Sequence, residues 1–311
     1  MKRLLDANAS DFAALTASEL VESIRLSEGR VVTAEIIASA PPLLDKVSNA
    51  ELAAGMGADL ILLNFYDVTA PQVMGFPDRA QQPSSEPSVF GRLSWGRGVT
   101  LAQVKDWIGR PVGLNLEPLE IRETADVSGR MATARNARAA VAQGADFIVI
   151  TGNPHTGVTR DGIARALAEI REAVGESVVL FAGKMHAAGV AEPVVTAADV
   201  EAFADAGAAG LVLPAPGTVP GMTMEEGRTL VQAAHARGLL AMNTVGTSQE
   251  GASVTTIEQL ALLSKMTGAD IHHIGDAGTL GIAVPENITA WSLALRGRRH
   301  TWHRMTASLR R

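Results

Sequence analysis

The sequence predicts an α/β chain closed into one (β/α)8 barrel, and three observations predict it. Eight apolar runs of strand length begin near Val31, Asp59, Pro111, Asp146, Ser177, Ala208, Leu239 and Asp270. Five of the seven intervals between them are about 28 to 32 residues, one is about 35 and the second is stretched to about 52. That is the repeat of a βα unit with one insertion. The junction before a run reads Gly-Ala-Asp three times, from Gly57, Gly144 and Gly268, and Gly-Ala-Ala once, from Gly207. A glycine there can end a helix in the left-handed conformation just before a strand starts. An open doubly wound sheet is the rival, but even spacing and the lack of a dinucleotide fingerprint favour closure.

The elements follow in chain order. Residues 1–30 form an N-terminal helical cap with a helix from about Ala9 to Glu28, residues 31–295 form the barrel, and residues 296–311 form a basic tail, all in one domain of 1–311. The strand segments VVTAEII, DLILLNFY, PVGLNLE, DFIVITGN, VVLFAGKMH, AGLVLPA, LLAMNTVG and DIHHIG are mostly continuous apolar runs, as expected of a parallel sheet covered by helices. Amphipathic stretches separate them. TRDGIARALAEIREAVGE offers Thr159 as an N-cap with Asp161 in the first turn, and TMEEGRTLVQAAHARG carries His235 in a structural position. Residues 67–99, rich in Pro, Ser and Gly, form a long loop after strand two, either a lid or a plain insertion. The tail holds six arginines and two histidines and reads as a solvated or subunit-facing helix end.

Composition narrows the function classes. Hydrophobic residues make up 47% and charged ones 19%, enough for a sizeable core and contrary to general disorder. The longest apolar stretches fall far short of the roughly 20 residues that cross a bilayer. The N-terminus lacks an unbroken apolar stretch, so no secretory signal is expected and a cytoplasmic location follows. With no cysteine, the chain has no disulfides, zinc–thiolate sites, iron–sulfur clusters or thiol nucleophile. A net charge of −6 gives no global footprint for nucleic acid. The expected partners are a small anionic substrate and further copies of the same chain, with neither nucleic acid nor membrane.

In such a barrel the site sits at the C-terminal ends of the strands. Strand one offers Thr33 and Glu35 there, strand two Asn64 and Tyr66, strand three Asn115 and Glu117, and strand four Thr151 and Asn153. Strand five offers Lys184 and His186, strand seven Asn243, and strand eight either His272 or His273; strand six is bare. A buried polar group costs roughly 2–7 kcal/mol without a partner, so polarity at the same end of seven strands points to a site rather than to packing. Lys184 and His186 lie two apart and can share a pocket. A desolvated lysine can attack a carbonyl or shuttle a proton, and histidine serves as acid or base beside it. Glu35 and Glu117 could orient substrate, act as acid and base, or hold a divalent ion together with His186 and His273. Of the adjacent histidines only one can face inward, and parity favours His273. The Gly-rich loops after strands seven and eight offer Gly246, Thr247 and Ser248, and Gly275, Ala277 and Gly278, as a phosphate nest. Asp276 could fix a hydroxyl or a metal, and His155 in the loop after strand four could meet the substrate.

The runs NAELAAGMGADLILLN, GRPVGLNLEP, TGNPHTGVT, AGKMHAAGV, GTSQEGA and SKMTGADIHHIGDAG are similar to a family of bacterial TIM-barrel proteins without a settled activity. The resemblance covers nearly the whole chain. It implies the barrel fold and places Glu35, Asn64, Glu117, Asn153, Lys184, His186, Asn243 and His273 on the family's motifs. Names given in that family sometimes mention haloacid dehalogenase. Those enzymes need Asp-x-Asp at the end of their first strand, and this chain contains no such triplet.

Three functions fit the residues. The first is a lyase or isomerase acting beside a carbonyl of a small phosphorylated or carboxylated metabolite. There Lys184 is Schiff-base nucleophile or proton shuttle, His186 its acid/base partner, and Glu35 and Glu117 the orienting carboxylates. The second uses the same carboxylate–histidine cluster around a divalent cation. The third is a catalytically silent barrel that senses a phosphometabolite. No nucleotide-cofactor motif is present.

Overall fold

The computed structural model describes residues 1–79, 94–119, 128–152, 157–186 and 194–311. Eight parallel strands close into a barrel in sequence order: β1 (Val31–Ile37), β2 (Leu60–Asn64), β3 (Val112–Leu116), β4 (Phe147–Ile150), β5 (Val179–Gly183), β6 (Gly210–Pro214), β7 (Leu240–Val245) and β8 (Ile271–Ile274). The ring is sealed where Thr33 of β1 lies opposite His273 of β8. Each strand begins within two residues of its expected start.

Helices alternate with the strands. Before β1 lie α1 (Ala9–Ala14) and α2 (Ala17–Arg25), and α3 (Asn49–Gly55) and α4 (Leu101–Ile108) flank β2. Then come α5 (Ala134–Ala142), α6 (Arg160–Val174), α7 (Ala197–Asp205), α8 (Met224–Ala236), α9 (Val254–Met266) and α10 (Pro285–Thr306). Thr159 caps α6 by accepting the Gly162 N–H. The helical cap expected over 9–28 is two helices divided at Thr16, whose hydroxyl accepts the Glu19 N–H while the Glu19 carboxylate accepts the Thr16 N–H, a capping box that starts the second. Among the described residues no helix is long and apolar enough to cross a membrane.

Strand parity sorts the core into two layers. Leu60, Leu62, Phe147, Val149, Val179, Phe181, Val212, Leu240, Met242 and Ile271 fill the barrel interior, while the alternate residues pack outward against the helices. Glycine supplies the room the large rings need. A Cβ at Gly113 would collide with Phe147 and one at Gly210 with Phe181, and these two phenylalanines meet edge to face at 6.2 Å. Leu4, Phe12, Leu20 and Ile24 join the same interior cluster. The N-terminal helices therefore plug the N-terminal mouth, leaving the other mouth uncovered by them.

The Gly-Ala-Asp repeat ties down that plugged end. Gly57, Gly144 and Gly268 all take positive φ. The aspartate after each reaches the start of a neighbouring strand: Asp59 accepts the Val32 N–H, Asp146 the Val112 N–H and Asp270 the Ala241 N–H, each at 2.8 Å. Every one also has a basic partner. Lys105 holds Asp146 at 2.5 Å and His235 holds Asp270 at 2.9 Å. Asp59, fully buried, is gripped by Arg296 at 2.5 Å and Arg304 at 2.6 Å. The basic stretch 296–311 is thus not simply a solvated end. α10 breaks at Gly297, where φ is +70°, and this turns Arg304 inward to donate to the Leu4 and Ala7 carbonyls.

Candidate active site

The open, C-terminal mouth of the barrel holds a cavity of about 250 Å³. Its polar walls are Glu35, Asn64, Asn115, Glu117, Thr151, His186, Glu250 and Asp276; Phe65, Gly152, Met185, Gly246 and Ala277 complete it. Pockets for drug-sized ligands run from roughly 300 to 1,000 Å³, so this cavity has room only for a small molecule.

Strand periodicity places the first four groups. Glu35, Asn64 and Asn115 continue the inward-facing rows of β1, β2 and β3 one layer above the apolar interior, and Glu117 follows just beyond β3. Glu35 is 5% exposed. One carboxylate oxygen accepts Asn115 Nδ2 at 2.5 Å and the other accepts His273 Nε2 at 2.9 Å. A carboxylate only accepts, so the amide orientation of Asn115 and the Nε2 proton of His273 are both fixed by it. That leaves Asn115 Oδ1 and His273 Nδ1 buried without a partner among the described residues.

Three further carboxyl groups face the same space. Asp276 accepts Asn64 Nδ2 at 2.9 Å, yet burial and the Glu35 charge push its pKa up to about 6. Glu250, in the short 3-10 turn Gln249–Gly251, is raised to about 7, mainly by burial. Its Oε2 is buried and has no partner among the described residues. Burial also raises Glu117, against the pull of Arg130. The His186 imidazole moves the other way: burial lowers its pKa, opposed by Glu35, so the ring is held neutral. Phe65, at the rim, adopts φ +55°, a conformation costly for a bulky side chain, with the Arg130 guanidinium over its ring at 4.7 Å.

A family model described as a domain of unknown function, DUF7916, matches residues 5–311. The chain belongs to this family. No curated protein matches the sequence. Among solved structures, tryptophan synthase from M. tuberculosis aligns with 91% of this chain and 99% of its own, at 13% identity and a TM-score of 0.52. Deoxyribose phosphate aldolase from Aeropyrum pernix covers 85% of this chain and 90% of its own at 14% identity and TM-score 0.46. A 2,3-dimethylmalate lyase, of the PEP mutase/isocitrate lyase superfamily, covers 84% and 81% at 17% identity and TM-score 0.47. At such identities the likeness speaks for the barrel alone, and the chemistry has to come from the DUF7916 side chains themselves.

The structure brings together Glu35, Asn64, Asn115, Glu117, Thr151, His186 and Asp276, with His273 directly behind Glu35. Asn153 and His155 lie outside the described residues. Two expected residues, Asn243 and Lys184, lie outside the cavity lining. Asn243 has the parity opposite to Met242 and Thr244, and its Nδ2 donates to the Ser264 carbonyl and to the Ser264 and Thr267 hydroxyls of the α9 end. His272, beside it in register, likewise bonds Ser264 and the Gly29 carbonyl. Lys184 is buried but does not line the cavity. β5 ends at Gly183, and the inward row Val179, Phe181 continues to Met185, so Lys184 and His186 do not share the pocket.

The expected phosphate nest is built differently. Gly246 and Ala277 line the cavity, but the Gly275 N–H donates to Val245 and the Thr247 hydroxyl to Thr218. Ser248 takes φ +70° at the head of the 3-10 turn, and Gly278 is packed against Ala283 and Val284. That turn folds Glu250 back so that a Cβ on Gly275 would strike its carboxylate. The space between the two Gly-rich loops is filled by a carboxyl group. Among the described residues, no three His, Asp or Glu side chains are grouped to hold a metal ion, so the expected set Glu35, Glu117, His186 and His273 does not form one. Glu250 and Phe65 are absent from the sequence-based site. A carboxylate inside the Gly-rich GTSQEGA loop was the available signal for the first; nothing in the sequence marks the second.

Proposed function

We propose that this protein is an acid–base enzyme of the lyase or isomerase class that moves a proton at the carbon beside a carbonyl group of a small molecule. One observation carries the reading. A buried carboxylate, Glu35, is held by two donors in a small cavity whose other carboxyls have raised proton affinities, up to about 6 for Asp276 and about 7 for Glu250. Pairs of titratable groups pushed apart in this way divide the roles of acid and base.

Glu35, held in place by Asn115 and His273, takes the proton from carbon. Glu250 and Asp276, protonated for part of the time near neutrality, donate to the carbonyl oxygen as charge develops on it. His186, neutral, accepts or donates a hydrogen bond at the rim. Lys184 stands outside the cavity wall, so the chemistry is written without a Schiff base.

The test is proton exchange in D2O followed by NMR across a panel of small hydroxy- and amino-ketones and aldehydes. Deuterium should enter at the carbon beside the carbonyl, and Glu35→Gln should suppress this by about 10²–10⁴-fold. Exchange no faster than the enzyme-free blank for every compound would overturn the proposal.

A further inference from the structure

The cavity also carries information about the charge of what it binds. Two of its wall oxygens have no hydrogen-bond partner among the described residues. Asn115 Oδ1 and Glu250 Oε2 both belong to residues more than nine-tenths buried, at 7% and 1% exposure, and both residues line the cavity. The Asn115 amide cannot flip to relieve this, because its Nδ2 is committed to the Glu35 carboxylate. Unpaired buried polar atoms are costly, so a ligand whose polar groups pair with them is favoured. Around them stand four carboxyl groups, Glu35, Glu117, Glu250 and Asp276. Arg130, the cation near Glu117, lies over the Phe65 ring and does not line the cavity.

Resting on the cavity being the substrate site, we propose that it takes a small polyhydroxylated molecule carrying a protonated amine, rather than a phosphorylated or carboxylated one. Hydroxyl groups pair with both oxygens, donating to Asn115 Oδ1 and either donating to the Glu250 carboxylate or accepting from its acid form, and the ammonium charge is attracted by the ionised carboxyl groups around it. An anion would meet Glu250 where the sequence suggested a phosphate nest.

Three six-carbon open-chain probes of matched shape separate the possibilities: D-glucamine (cationic), D-sorbitol (neutral) and D-gluconate (anionic). Thermal melting and calorimetry at pH 7 and low salt should show D-glucamine binding about tenfold tighter than D-sorbitol, with D-gluconate weakest. Glu250→Gln and Asp276→Asn should each narrow the gap between D-glucamine and D-sorbitol. Four results overturn the inference: D-gluconate binding as tightly as D-glucamine, D-sorbitol matching D-glucamine, no binding of D-glucamine, or a preference unchanged in both variants. Binding is read without turnover. A failed deuterium exchange alongside a clear cation preference would therefore remove the proposed reaction and leave the ligand class, and the reverse pattern would do the opposite.

Discussion

Glu35 and His273, 238 residues apart in sequence, meet at 2.9 Å across the seam where β8 closes onto β1. Neither can be seen as a pair in the chain; closure of the barrel creates the contact. The His273 ring is fully buried and presents its Nε2 proton to the carboxylate, which removes one direction of freedom from the side chain proposed as base. Asn115 removes another.

Replacing His273 should therefore act through Glu35. His273→Gln is expected to lower kcat for proton exchange by about tenfold or more, with KM little changed, and to move the acid limb of the pH–rate profile. A merely structural histidine would leave that profile in place when the folded fraction is corrected for.

His272, one residue earlier, makes the contrasting case. It is fully buried among Ser264, the Gly29 carbonyl and Trp291, and burial pushes its pKa down to about 4. Its free value is 6.5, so the unfolded chain takes up the proton first as pH falls. The stability it contributes is complete above 6.5 and is lost as pH falls towards 4, on the order of 3 kcal/mol. His272→Gln should lower stability at pH 7 by about 1–3 kcal/mol and flatten the pH dependence over that window. Urea titrations at pH 4 and 7 read both effects, with proton exchange per folded molecule unchanged.

Glu250 titrates with the opposite sign. Its folded pKa, about 7, lies above the ordinary 4.5, so the folded protein holds the proton more tightly than the unfolded chain. Stability then falls as pH rises from 4.5 to 7, and the full penalty, on the order of 2–3 kcal/mol, stands above 7. Glu250→Gln should be more stable than the parent at pH 8 and lose that advantage below pH 5. Equal denaturation midpoints at pH 8 would show that the carboxylate is relieved in solution.

The barrel was legible because its signals are local and repeated: apolar runs, helix-ending glycines and spacing. The Gly-Ala-Asp junction reads as a helix stop, and its aspartates also clamp the start of the preceding strand. Site residues were legible where strand parity carries through, as at Glu35, Asn64 and Asn115. Parity fails where a strand ends. Lys184 keeps the outward parity of Leu180 and Ala182 while Met185 stays on the inward row, and only His186, beyond the end of β5, leaves the alternation and reaches the cavity. Asn243 misleads for another reason: a helix terminus can engage a buried amide as readily as a substrate can, and the α9 end takes all three hydrogen bonds that Asn243 Nδ2 donates. Glu250 was hidden because a turn, not a periodic element, aims it.

The opposite end of the barrel offers a prediction independent of chemistry. Asp59 is a buried anion between two buried guanidiniums. Burial alone would raise its pKa, and Arg296 and Arg304 together pull it below the ordinary value. Each arginine also bonds backbone: Arg296 the Gly57 carbonyl, Arg304 those of Leu4 and Ala7. The cluster thus joins β2, both halves of α10 and the N-terminal plug. Removing one partner of a buried pair leaves an uncompensated charge and costs about 3–5 kcal/mol. Asp59→Ala leaves two cations facing each other and should cost at least that, whereas Arg304→Met keeps the Asp59–Arg296 pair and should cost less. Denaturant melts rank the two variants. If the plug is held by this cluster, limited proteolysis should cut Arg304→Met first within residues 1–15, while the ligand affinity at the far mouth stays that of the parent protein.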